Sequence, residues 1–119
     1  MEDQISFMKQ FREISHEYRE KLSEAKTPAD VGDIFITFIH KMLVNVGIEV
    51  SNKAIEYIVF DPESEEIVKF EKPLYEKLTE IFKKSDLENI IQKMALTAKH
   101  RHMQITHDTD RTDMYRRHD

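Results

Sequence analysis

Residues 27–47 read TPADVGDIFITFIHKMLVNVG and form the most apolar stretch of the chain. Thr27, Pro28 and Asp30 make a helix start. A threonine cap, a proline at the first helical position and an acid in the first turn all answer the unpaired N–H groups there. Gly47 is placed to end the helix, because glycine adopts a left-handed conformation cheaply. Between them Val31, Ile34, Phe35, Phe38, Ile39, Met42, Leu43 and Val46 recur at helical spacing. Asp33, Thr37, His40, Lys41 and Asn45 leave only a narrow polar stripe. A helix apolar over most of its circumference needs neighbours on several sides. It therefore reads as the central helix of a bundle or as a subunit interface.

Working outward, residues from about 2 to 25 make an amphipathic helix. Phe7, Met8, Phe11, Ile14, Tyr18, Leu22 and Ala25 step by three or four along one face. The short link through Lys26 and Thr27 predicts an antiparallel hairpin of two helices. After Gly47, the segment IEVSNKAIEYIVFDPESEEIVKF (48–70) allows two readings. As helix, Ser51 caps a run with Ala54, Ile55, Ile58 and Val59 on one face. As strand, IEYIVF and IVKF flank the loop DPESEE in a β-hairpin. A lone hairpin is marginal in water without packing partners, so the helical surroundings favour helix.

Pro73 restarts the chain. Leu74, Leu78, Ile81 and Phe82 predict a short helix ending near Lys83 and Lys84. Ser85 and Glu88 have the spacing of a capping box. The helix behind it carries Leu87, Ile90, Ile91, Met94, Ala95 and Ala98 and runs toward Ile105. Beyond Thr106 the apolar period fades. The expected fold is all-α, a small helical bundle built on the N-terminal hairpin. The alternative is α+β with one β-hairpin around 55–70. A helical domain over 1–106 is followed by a charged, His/Asp/Arg-rich tail over 107–119.

Composition narrows the function classes. The chain has 119 residues, 34% charged, with two Gly, three Pro and no Cys. One domain is the default at this length. A disulfide framework and a zinc–thiolate site are excluded. No Gly-rich phosphate loop, GxSxG or zinc-finger pattern occurs. The start MEDQ lacks a signal-peptide pattern and no run approaches a membrane span, so a cytoplasmic protein with no membrane partner is expected.

Charge is uneven. From Lys93 onward six Lys or Arg meet four acids, giving +2, and the rest carries −7 of the net −5. Four of the six histidines lie in that last segment. Three readings of KHRHMQITHDTDRTDMYRRHD (99–119) compete. It is a solvated tail. Or it contacts a partner, another subunit or nucleic-acid phosphates, through Lys99, Arg101, Arg111, Arg116 and Arg117, with Tyr115 for stacking. Or it holds a divalent metal on His100, His107, Asp108 and Asp110. Asp108, Asp110 and Asp113 weaken the nucleic-acid version, since they repel phosphate.

Two other histidines carry weak signals. Glu13 and His16 have the Glu-x-x-His spacing of di-iron bundles, but no second pair exists and His16 falls opposite the apolar stripe. His40 reads as a hydrogen-bonded or interface histidine, with no nucleophile beside it. The expected function is a small intracellular helical interaction or adaptor protein. It is homo-oligomeric, with no cofactor and no catalytic activity of its own, and its protein partner is unspecified. A nucleic-acid-associated protein using the basic C-terminal segment is the alternative, and a metal-binding helical protein is the more distant one.

Overall fold

The computed structural model describes the backbone of residues 5–118 and the side chains of residues 5–107. Helix α1 spans Met8–Glu24 and α2 spans Pro28–Asn45. A 3₁₀ segment, Asn52–Tyr57, leads into strand β1, Ile58–Phe60, which pairs with β2, Val68–Phe70. Helix α3 spans Leu74–Lys83 and α4 spans Leu87–His118.

α2 is the hub, and it forms as its sequence predicts. The Thr27 hydroxyl accepts from the Asp30 N–H at 3.1 Å, and the Asp30 carboxylate accepts from the Thr27 N–H at 3.2 Å. That reciprocal pair is a capping box. Gly47 sits at φ 87°, the left-handed stop. Val31, Phe35, Phe38, Ile39, Met42 and Leu43 are all buried. Fully burying a side chain of this size is worth about 1.5–3 kcal/mol. The neighbours that cover them come from the same chain: α1, α4, the 3₁₀ segment and β1. The buried face of α2 is therefore covered inside one protomer, while Val44 on its other side stays exposed.

α1 folds back on α2. The Tyr18 and Phe38 rings lie 5.3 Å apart, and Lys41 Nζ donates to Glu17 Oε1 at 2.9 Å. That contact with Lys41 holds the Glu17 carboxyl below its ordinary value. The helix begins later than expected. Ile5 is extended, with a parallel bridge to Ser85. The Asp86 carboxylate accepts from the Ser6 hydroxyl at 2.9 Å and from the Phe7 N–H at 2.8 Å. These bonds hold the chain entry against the α3–α4 turn, so residues 5–7 cannot join the helix. Residues 1–4 lie outside the described residues.

The middle segment corrects the all-α reading. Residues 58–70 are a β-hairpin with register Ile58↔Phe70, Val59↔Lys69 and Phe60↔Val68. Only residues 52–57 coil, as a 3₁₀ turn without a side-chain cap from Ser51. The hairpin has the packing partner that an isolated one lacks. Phe60 stacks on Phe35 of α2, ring centroids 4.8 Å apart, and Ile58, Ile67 and Val68 are buried. The Ser85–Glu88 capping box is also absent. The Ser85 hydroxyl donates to the Ile81 carbonyl at 2.6 Å and accepts from the Leu87 N–H at 3.3 Å. α4 thus starts one residue later than that box would require. The expected boundary between 106 and 107 falls inside α4, whose last buried apolar residue among those described is Ile105. No helix among the described residues is long and apolar enough to cross a membrane.

Candidate interaction cleft

The acidic loop 61–66 sets the hairpin's position. Asp61 Oδ1 accepts from the Glu63 N–H at 3.3 Å, and the Asp61 carbonyl accepts from the Ser64 N–H at 3.2 Å. Ser64 Oγ then accepts from the Glu66 N–H at 3.3 Å. Asp and Ser make such local bonds readily, which is why they occupy turns. The chain reverses here and lays β2 toward α3 and α4.

A cleft of about 390 Å³ opens between these three elements. Val68 and Phe70 come from β2, Tyr75 and Phe82 from α3, and Ile91 from α4. The Phe70 and Phe82 rings are tilted against each other, centroids 6.2 Å apart. Tyr75 is 50% exposed, the largest of the exposed apolar side chains among the described residues. Glu66, Lys69, Glu88 and Gln92 supply the polar part of the lining. Lys69 Nζ lies 3.9 Å from Glu66 Oε2, a loose surface pair. Among the described residues no histidine, serine or threonine lines the cleft. Its chemistry is that of contact: stacking rings, a strand edge and exposed carboxylates. The sequence reading passed over it because its walls come from three separate elements. The signal present was Tyr75, which follows Leu74 and falls off the buried face of α3.

The C-terminal candidates are dispersed. Arg101 is committed inside the fold. Its Nη2 donates to the Ala25 carbonyl at 2.7 Å and to the Ser23 carbonyl at 3.1 Å, and its Nη1 donates to Gln104 Oε1 at 3.3 Å. It closes the C-terminal end of α1, where orphan carbonyls and the helix dipole favour a cation. Lys99 is half-buried, and His100 and His107 are exposed. The side chains of Asp108, Asp110, Arg111, Tyr115, Arg116 and Arg117 lie outside the described residues. Among the described residues no group of three His, Asp or Glu side chains could hold a metal ion.

The two histidines outside the C-terminal segment have local partners. His16 is exposed and pairs with Glu20 at 2.9 Å, one turn on, and Glu13 is exposed as well. His40 Nε2 lies 3.1 Å from the Ser51 carbonyl and ties the end of the 48–51 link to α2. Among the described residues the one strongly displaced titration belongs to the core. Tyr18 donates its hydroxyl to the Met94 carbonyl at 2.6 Å, and burial pushes its ionisation far upward. No family model, curated protein or solved structure matches this chain.

Proposed function

We propose that this is a small intracellular interaction protein without catalytic activity of its own. Its working surface is the cleft between β2, α3 and α4. The observation that carries the reading is Tyr75. It stands half exposed beside Phe70 and Phe82 at an open cleft, the one exposed aromatic ring among the described residues. Exposed aromatic clusters with a polar surround mark surfaces that meet other macromolecules.

Self-association belongs to the proposal as well. Ile5, Val44, Ile55 and Leu96 remain exposed after the α2 face has been covered. The nucleic-acid alternative loses one expected phosphate contact, since Arg101 is engaged with α1.

The test has two parts. Sedimentation velocity across a wide concentration range reads self-association. Capture from the host's own extract, compared between the wild type and Tyr75→Glu, reads the cleft. A protein that stays monomeric throughout, with the same captured set for both baits, would overturn the proposal.

A further inference from the structure

We infer that the outer edge of β2 receives an extended, basic peptide segment of another protein, added as a third strand within the cleft. The inference rests on the interaction reading above and names the partner's chemistry. It starts from the parity of the ladder. The Asp61 N–H donates to the Ile67 carbonyl at 2.7 Å, and the Glu71 N–H donates to the Tyr57 carbonyl at 2.8 Å. With the observed register, 57/71, 59/69 and 61/67 are the hydrogen-bonded pairs. The N–H and C=O groups of Val68 and Phe70 therefore point away from β1. Among the described residues no hydrogen bond reaches them from any other element.

The cleft lies on that side. Val68, Lys69 and Phe70 all line it, although side chains of successive strand residues alternate between faces. Lining by both parities is the mark of an edge rather than of a face. An unpaired edge is a template for another strand, and main-chain bonds supply its affinity. Phe70, Phe82 and Tyr75 offer ring surface to alternate side chains of the incoming segment.

Charge selects the occupant. Residues 61–71 hold five acids, Asp61, Glu63, Glu65, Glu66 and Glu71, against Lys69 alone. Glu88 adds another carboxylate on the facing wall. A segment of alternating apolar residues bearing lysine or arginine is complementary to this surround. A second copy of the chain is not. The register that uses both Val68 and Phe70 sets the Lys69 side chains of two copies directly opposite, and like charges so placed repel.

The experiment uses a random twelve-residue peptide library selected on the full-length protein. Selected sequences are expected to be rich in Lys and Arg with alternating apolar positions. The consensus peptide should protect the Val68 and Phe70 amides from exchange. N-methylation of the peptide amides that face the edge should abolish binding, whereas methylation shifted by one residue should leave it, a period of two that a helix does not give. The exposed-loop double variant Glu65→Lys/Glu66→Lys should bind about tenfold more weakly.

Several results would overturn the inference. They are an acidic or neutral consensus, protection elsewhere in the chain, no dependence on methylation parity, or edge protection that grows with protein concentration alone. Each of these leaves the general interaction reading standing. An unenriched library overturns the inference too. Only together with an unchanged captured set for Tyr75→Glu and a strict monomer does it remove both.

Discussion

Arg101 reaches from α4 to the carbonyl of Ala25, the residue just past the end of α1, at 2.7 Å. One side chain thereby ties together two helices whose contact positions are far apart in sequence. Its Nε is buried without a partner, so two strong bonds at Nη2 offset an unmet donor nearby. Arg101→Ala is expected to lower stability by about 1.5–3 kcal/mol, the range for hydrogen bonds involving a charged group. Arg101→Lys should recover only part of this, because a single ammonium lacks the second guanidinium nitrogen, Nη1, which donates to Gln104 while Nη2 holds both carbonyls. Urea melts of the three proteins read the difference. Equal midpoints for wild type and Arg101→Ala would remove Arg101 from the scaffold and return it to the surface cations.

Tyr18 and Met94 make the corresponding bond in the core. Tyr18→Phe should cost about 1 kcal/mol at neutral pH, the net value of one intramolecular hydrogen bond. The pH dependence has a defined sign. Burial raises the folded-state ionisation of Tyr18 above the ordinary value of 10.0, so its contribution is complete below that value. The contribution is lost as pH rises above it, because the unfolded chain can then ionise and the folded one cannot. The gap between wild type and Tyr18→Phe should thus narrow above about pH 10. Chemical denaturation at pH 7, 9 and 11 measures it, and a gap that is constant or widening would contradict burial as the cause.

The start of α2 shows the opposite sign. The Asp30 carboxylate accepts from the N–H groups of Lys26 and Thr27, and these bonds, Lys26 foremost, hold its ionisation below the ordinary 3.8. Its contribution is present above the ordinary value and is lost as pH falls through the lowered one. Asp30→Asn should be less stable than wild type at neutral pH, with the gap closing in strong acid. Thr27→Ala removes the other half of the box and should cost about 1 kcal/mol with only a weak acid limb, since the Thr27 hydroxyl is a lesser cause of the lowered Asp30 ionisation than the Lys26 N–H. Parallel thermal melts between neutral pH and strong acid separate the two behaviours.

Legibility in the sequence followed the range of the forces involved. α2 was readable almost to the residue, because Thr27, Pro28, Asp30 and Gly47 act on their own neighbours and the apolar period runs unbroken between them. The late start of α1 was not, because it depends on Asp86, 79 residues away from the Phe7 N–H it accepts. The hairpin was visible as an alternative but not as the choice. Its strands are three residues each, too short for a period of two to stand out, and what selects them is Phe35 underneath. Arg101 carried a charge that suggested a partner, and only the fold shows that its partner is the end of α1. The cleft had no local signature, since an edge becomes an edge only once β2 has paired on its other side.

Phe60 is the lever that tests how the hairpin is held. A two-stranded ribbon with no partner is marginal in water, and this one rests on α2 through the Phe35–Phe60 contact at 4.8 Å. Phe60 is half-buried, so Phe60→Ala should cost about 2 kcal/mol, less than a fully buried ring. The loss should also be local. The amides of Asp61 and Glu71, which close the ladder at its two ends, should lose exchange protection well before those of α2 and α4. Native-state hydrogen exchange reads this directly. If all amides lose protection by the same factor, the hairpin opens only with the whole bundle. The edge of β2 is then as rigid as the core, and a docked strand meets a preformed template instead of ordering one.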